Sequence, residues 1–111
     1  MLSPELKEYI DWQDDKLKAL HGYSHDQRTR LLARTVKLAE ESGELAEAAL
    51  AWCSFQRSEK LEGKAMKLPD EIADVIIVAL LIAKTADVDV DAALRDKIAV
   101  IRERFADKQP A

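Results

Sequence analysis

The sequence predicts an all-α fold, and three observations support this prediction. Apolar residues recur at helical spacing along four segments of the 111-residue chain. Helix-start signals precede these segments, and glycine, proline or a short acidic turn separates them. We therefore expect a single domain over residues 1–111 that is built as a four-helix bundle. Because so short a chain has a small core, we expect the bundle to be completed by oligomerisation.

The first helix begins at Ser3, as its N-cap, with Pro4 at the first helical position and Glu5 in the first turn. An apolar stripe follows, and its members are Leu6, Tyr9, Ile10, Leu17 and Leu20. Trp12 lies at the border of this stripe, where a tryptophan more often fills a core or an interface than binds a ligand. Residues 21–24 end the helix at a glycine.

The second helix is predicted from about residue 27 to about residue 55. Ser24 and Gln27 have the spacing of a capping box, with Asp26 in the first turn. The helix carries two adjacent apolar stripes, so it should lie buried between neighbours, some of them from another subunit. His21 and His25 are four residues apart, but the intervening glycine and cap place them in a turn, so we favour a turn over a structural zinc site.

The rest of the chain is predicted to contain a linker and two more helices. Residues 54–69 are rich in charges and hold a glycine and a proline, so we expect a solvated loop. Residues 70–86 are predicted to form the third helix, although the apolar run from 75 to 83 alone would also suit a buried strand. Asp89 caps a predicted fourth helix over about residues 90–106.

Composition excludes several classes of protein. A net charge of −4 argues against a nucleic-acid duplex binder, which normally presents a basic face. The single cysteine, Cys53, excludes an intrachain disulfide and a thiolate metal cluster within the chain. The longest apolar run has nine residues, whereas a membrane span needs about 20. The first ten residues contain acids and no apolar core, unlike a signal peptide. We expect a cytoplasmic protein that does not bind membranes.

Two acidic stretches mark the candidate site. Residues 40–44 (EESGE) lie within the second helix, and residues 70–74 (DEIAD) open the third. Helical geometry places Glu41 on the inward, apolar face of the second helix and Glu44 at its rim, with Glu71 and Asp74 placed likewise on the third. Glu40 points further round, toward solvent or an edge. If the two helices pack antiparallel, four carboxylates converge.

Converging carboxylates require protons or cations. Two carboxylates about 5 Å apart repel by roughly 3 kcal/mol at an effective dielectric near 20. Carboxylates without His or Cys suit hard ions such as Mg²⁺, Mn²⁺ or Ca²⁺, whereas a di-iron bundle requires Glu-x-x-His motifs that these helices lack. Helix-dipole complementation explains Asp70 and Glu71, but not Glu41 and Glu44 in the middle of a helix.

Three basic residues fall on or beside inward faces. Lys97 lies within the apolar arc of the fourth helix, with Arg104 beside it two turns later, and Arg34 lies on the inward arc of the second. They could contact phosphate groups, for which Lys and Arg are common donors. Snorkelling stems or ion pairs with the acidic cluster are the alternatives.

The combined motif resembles the MazG-like all-α nucleoside triphosphate pyrophosphohydrolases. The family pattern is EExxE, a spacer, ExxD and a later Lys-x-x-x-Asn-x-x-Arg. Residues 40–44 match the first part, residues 71–74 match the second, and Lys97 and Arg104 match the late Lys and Arg. Ile101 stands in place of the family's asparagine, which leaves the corresponding nucleotide contact undefined.

The resemblance implies a mechanism and specific roles. It implies Mg²⁺ held by Glu41, Glu44, Glu71 and Asp74, with Mn²⁺ as an alternative ion. It implies cleavage of a (deoxy)nucleoside triphosphate to the monophosphate and pyrophosphate, as nucleotide-pool housekeeping. Glu40 is implied as the residue that orients or deprotonates the attacking water. Substrate contacts are implied for Lys97, Arg104 and Trp12, and family members form homodimers or homotetramers.

Two alternatives remain open at this stage. Phosphoribosyl-ATP pyrophosphohydrolase shares the helical arrangement of acids. A non-catalytic oligomerisation module with a structural metal site is the alternative from a different class.

Overall fold

The computed structural model describes residues 1–20, 26–54 and 59–108. Five helices run through these ranges, and none of the described residues lies in a strand. They are α1 (Pro4–Leu20), α2 (Gln27–Cys53), α3 (Glu59–Met66), α4 (Leu68–Thr85) and α5 (Val90–Phe105). The all-α prediction is therefore confirmed, and the helical reading of the apolar run from 75 to 83 is correct.

The expectation of four helices is wrong, because α3 lies within the segment that we expected to be a loop. Its eight residues, EKLEGKAM, are good helix formers except for Gly63. Gly63 has open space around the position of a side chain, so nothing in the packing requires a glycine there. Helix α3 was not predicted because its charges and its glycine are typical of a loop. It packs against α2.

The helix starts follow the capping signals closely. The Ser3 hydroxyl accepts a hydrogen bond from the Leu6 amide at 3.1 Å, as predicted. At the start of α2 the cap is Asp26, which accepts from the Thr29 amide at 2.8 Å. We expected Asp26 in the first turn, two positions after a cap at Ser24, and Ser24 lies outside the described residues. The turn expected at His21 and His25 lies outside them too.

The corner between α4 and α5 matches the predicted turn. Asp87 has a φ of 56°, and the amides of Asp87 and Val88 donate to the carbonyls of Lys84 (3.3 Å) and Ala83 (2.9 Å). This pair of bonds is the Schellman arrangement that ends a helix. Asp89 then caps α5 by accepting from the Ala92 amide at 3.1 Å, as predicted.

The apolar core lies where α1 crosses α4. Ile10, Leu80 and Leu81 are its buried centre. Partly buried residues surround this centre: Leu2, Leu6, Leu17, Ile77 and Val90. Val90 brings only the first turn of α5 into the core, and α5 makes no extensive contact with another described helix. The radius of gyration is 17.6 Å, compared with about 13 Å for a compact domain of similar length.

Large apolar faces remain exposed in the single chain. On α2 they include Leu32, Val36, Leu50 and Trp52, and on α5 they include Leu94, Ile98, Ile101 and Phe105. Apolar stripes on two sides of α2 were expected, and its exposed apolar residues have no covering element among the described residues. None of the described helices combines the length and apolar character that a membrane crossing requires.

A buried ion pair joins α1, α2 and α4. Arg34 donates to the carboxylate of Asp14 at 2.5 Å and to the hydroxyl of Thr85 at 2.6 Å. Asp14 is 2% exposed, and its second oxygen lies 2.9 Å from the Lys18 ammonium. Arg34 is therefore an ion-pair partner, and its partner is Asp14, which lies outside the two acidic stretches.

Asp91 fastens the start of α5 to α1. Its carboxylate accepts from the Leu2 amide at 2.8 Å and lies 2.7 Å from the Lys7 ammonium. The Lys7 contact and the Leu2 amide lower the pKa of Asp91 from 3.8 to about 2, against the opposing effect of burial. The carboxylate is therefore favoured in the folded state.

We expect Asp91→Asn to lower the free energy of unfolding near neutral pH. Because the folded pKa is depressed, the contribution of Asp91 is present above its ordinary pKa of 3.8 and is lost as pH falls through about 2. Urea unfolding of both proteins across that range should show the difference narrowing below pH 3.8 and closing near about 2. A difference that stays constant over the whole range would contradict the assigned role.

Candidate metal centre

Helices α2 and α4 bring three glutamates together. One carboxylate oxygen from each of Glu41, Glu44 and Glu71 lies within 4.8 Å of the other two. Glu41 and Glu44 are one turn apart on the same face of α2, and Glu71 lies in the first turn of α4. The convergence expected from the two acidic stretches therefore occurs for three of the four predicted ligands.

The cluster lacks partners for its innermost oxygens. Glu41 is 7% exposed, and the Oε2 atoms of both Glu41 and Glu71 are buried without a hydrogen-bond donor in the described structure. A buried carboxylate oxygen with no donor is costly unless a proton or a cation satisfies it. The charge of Glu41, followed by burial and the charge of Glu71, raises the pKa of Glu44. These features together indicate a site that favours a cation.

Oxygen ligands alone define the class of cation that fits. No histidine or cysteine joins the three glutamates in the described structure. Hard divalent ions such as Mg²⁺, Mn²⁺ and Ca²⁺ prefer carboxylate ligands of this kind. The donor-free oxygens of Glu41 and Glu71 therefore fit a divalent metal ion.

Lys37 lies at the edge of the cluster. Its ammonium is 3.3 Å from Glu41 Oε1 and 3.4 Å from Glu40 Oε2, and these contacts raise the pKa of Lys37. Sequence reasoning missed this residue, although its spacing of three and four residues from two acids was a usable signal. The Lys37 ammonium contacts Oε1 of Glu41, so the buried Oε2 atoms of Glu41 and Glu71 still have no donor.

The other predicted acids occupy different environments. Glu40 is exposed and pairs with Lys37 outside the three-glutamate cluster. Asp74, one turn after Glu71, is also exposed and is not part of the cluster. Its participation as a metal ligand and the role of Glu40 toward water remain predictions.

The predicted substrate contacts lie apart from the acids in the single chain. Lys97 and Arg104, expected to face inward, are exposed on α5, which does not pack along α2. Trp12 is 55% exposed on α1, with its ring 5.8 Å from that of Tyr9 and 5.9 Å from the Lys16 ammonium. Their roles remain predictions.

A cavity of about 270 Å³ adjoins the cluster. It is lined by Glu44, Glu47, Ala48, Lys64, Lys67 and Glu71. The Lys64 ammonium is 3.5 Å from Glu47 Oε2. Sequence reasoning did not assign the two lysines, because they belong to α3 and the turn after it, which were expected to form a solvated loop. Their presence beside two of the clustered glutamates gives the site both signs of charge.

The chain matches a protein-family model. The family model described as the MazG nucleotide pyrophosphohydrolase domain matches residues 30–111. This region includes the three clustered glutamates, both cavity lysines and all of α5. No curated protein and no solved structure matches the chain.

Proposed function

The chain belongs to the MazG nucleotide pyrophosphohydrolase domain family, and we propose that it cleaves nucleoside triphosphates and deoxynucleoside triphosphates to monophosphates and pyrophosphate. Family membership supports a hydrolase of the nucleotide pyrophosphohydrolase type. The observation that carries the proposal is the Glu41, Glu44 and Glu71 cluster, with two buried oxygens that have no donor. Repulsion within such a cluster destabilises the metal-free protein, whereas a bound divalent ion would neutralise the carboxylates. A metal-dependent reaction would therefore explain why the three glutamates lie together.

The three clustered glutamates would hold the metal ion, which we propose to be Mg²⁺, with Mn²⁺ as an alternative. A bound divalent ion supplies charge neutralisation to phosphate oxygens and acidifies a water molecule. Glu41 is the most buried of the three, so its position is fixed most firmly by the surrounding helix. Asp74 is proposed as a further ligand from the exposed next turn of α4.

Glu40 is proposed to orient or deprotonate the attacking water. It is exposed, and Lys37 connects it to Glu41 through the pair of contacts described above. This arrangement keeps the carboxylate of Glu40 beside the metal ligands without burying it. A carboxylate in such a position can accept a proton while remaining hydrated.

The positions of the other proposed substrate-binding residues support a homo-oligomer. Lys97 and Arg104 are exposed on a helix that does not reach the acids within its own chain. Apolar faces on α2 and α5 also lack covering elements among the described residues. We propose a homodimer or homotetramer that covers these faces, in which Lys97 and Arg104 contact phosphates and Trp12 stacks on the base.

We expect the purified protein to release pyrophosphate from at least one nucleotide when Mg²⁺ is present. The assay offers each nucleoside triphosphate, each deoxynucleoside triphosphate and phosphoribosyl-ATP separately, and measures pyrophosphate and the monophosphate product. Chelation of divalent ions should stop the release, and Mn²⁺ or Mg²⁺ should restore it. Cleavage of phosphoribosyl-ATP alone would select the narrower activity, and no product from any substrate would contradict the proposal.

A further inference from the structure

We propose that Lys64 and Lys67 bind the pyrophosphate end of the substrate, in the cavity beside the three-glutamate cluster. This inference rests on the proposed function and identifies the residues that receive the departing group. It assigns a binding role to α3, which the sequence pattern had suggested was a loop.

The lining of the cavity suits phosphate and does not suit a base. Among the described residues that line it, Ala48 is the only apolar one and none is aromatic. A base needs an apolar or aromatic surface on which to stack, whereas phosphate oxygens need cations and hydrogen-bond donors. At about 270 Å³ the cavity is at the lower end of the range of about 300–1,000 Å³ that is usual for sites holding a whole small-molecule ligand. It therefore fits part of a nucleotide, and its chemistry selects the phosphates.

The backbone fixes both lysines relative to the metal ligands. The Glu71 amide donates to the Lys67 carbonyl at 2.9 Å, so these residues are one helical turn apart at the start of α4. Side chains four residues apart lie on the same face of a helix. Lys67 therefore stands on the Glu71 face, where a phosphate bound through a metal ion at the glutamates would meet it.

Lys64 reaches the cavity from α3. Glu47 holds its ammonium at 3.5 Å, and Glu47 is one turn beyond Glu44 on α2. Partly exposed ion pairs of this kind contribute little to stability, so a phosphate can displace Glu47 at little cost. Lys64 is thus held at the cavity by a weak partner that competes with an anionic ligand.

A purely structural role for the lysines leads to a different expectation. If the lysines only neutralise neighbouring acids, removing the charge of Glu47 would weaken the binding of pyrophosphate or leave it unchanged. If they bind phosphate, Glu47→Gln removes a competing negative charge and frees Lys64. The second case requires pyrophosphate to bind more tightly to the variant than to the wild type.

The test is calorimetric titration of the full chain with inorganic pyrophosphate in the presence of Mg²⁺. We expect Lys64→Ala and Lys67→Ala each to weaken binding about tenfold, the usual effect of losing one charge-assisted hydrogen bond. Lys→Arg at either position should restore most of the affinity, and Glu47→Gln should strengthen binding. Lys108→Ala, on an exposed lysine near the end of the described chain, is the matched control and should not change it. Titration with a nucleoside monophosphate should give the same affinity in the wild type and in the two alanine variants.

Parallel turnover assays separate this inference from the proposed function. If the wild type cleaves nucleotides and the lysine variants keep its pyrophosphate affinity and KM, the inference is overturned and the function stands. If no nucleotide is cleaved but pyrophosphate binding depends on both lysines, the function fails and the assignment of the cavity is supported. Absence of pyrophosphate binding by the wild type with Mg²⁺ would overturn the inference. Circular dichroism of each variant confirms that the helices are retained before affinities are compared.

Discussion

Glu41→Gln is expected to abolish nucleotide hydrolysis while leaving the metal-free protein at least as stable as the wild type. The substitution keeps the size of the side chain and removes the charge of the most buried glutamate in the cluster. Metal ligands contribute several kcal/mol of transition-state stabilisation, so we expect the rate to fall about a hundredfold or more. Pyrophosphate release at saturating Mg²⁺ measures this loss.

The stability half of the prediction follows from charge repulsion. In the metal-free protein Glu41 raises the pKa of Glu44, and one of its own oxygens has no donor. Removing the Glu41 charge relieves both effects and sacrifices the contact with Lys37, an exposed partner whose ion pair is worth about 0–1 kcal/mol. The thermal midpoint in a chelator should therefore stay constant or rise.

Glu8→Gln is the control for this experiment, because it makes the same chemical change at an exposed position of α1. It should leave both hydrolysis and the thermal midpoint unchanged. A large loss of metal-free stability in Glu41→Gln would show that Glu41 is a structural ion-pair partner. Full retention of activity would remove it from the metal centre.

Local signals in the sequence were sufficient to predict most helix boundaries. Ser3 and Asp89 cap their helices as expected, because an N-cap depends on a few neighbouring residues. Helix α3 escaped prediction because one glycine and a dense set of charges resemble a loop. Eight residues carry too little periodicity to overcome that resemblance, and the packing of α3 on α2 is a tertiary contact that the local pattern does not contain.

The same distinction applies to the candidate site. Positions on a helical wheel predicted that Glu41 is inward and Glu44 is at the rim. Glu41 is buried and Glu44 is exposed, as expected, because helical geometry fixes the relative directions of two residues on one helix. Predicting that Glu71 lies close to them required only one further assumption, that α2 and α4 pack together. The exposure of Lys97 and Arg104 was not predictable from the wheel, because an apolar stripe on α5 shows that a face is to be covered but not which element covers it.

Asp14→Ala is expected to produce the largest loss of stability among the substitutions considered. Asp14 is 2% exposed and is the acidic partner of Arg34, which is itself 9% exposed. Removing one partner of a buried ion pair leaves an uncompensated charge and typically costs about 3–5 kcal/mol. Because small domains are stable by only about 5–15 kcal/mol, urea unfolding should show a midpoint displaced far below that of the wild type.

The pH dependence supplies a separate check on the same residue. Burial raises the pKa of Asp14, but hydrogen bonds from Lys18 and Arg34 and their charges outweigh it, so the folded pKa is lower than the ordinary value of 3.8. The stabilising contribution is therefore complete above that value and is lost as pH falls through the lowered folded pKa. The difference in unfolding free energy between the wild type and Asp14→Ala should be constant near neutral pH and shrink in acid.

Two matched variants isolate the buried charge as the cause. Asp15→Ala changes the neighbouring exposed acid and should alter stability by no more than about 0.5 kcal/mol. Combining Asp14→Ala with Arg34→Met removes the orphaned guanidinium and places an apolar side chain in the interior, so the double variant should recover part of the loss. If the double variant is less stable than Asp14→Ala alone, the contacts of Arg34 with α4 stabilise the protein by more than its unpaired charge costs. The comparison thus determines whether the junction of α1, α2 and α4 is held by charge pairing or by the hydrogen bonds that Arg34 makes to Thr85.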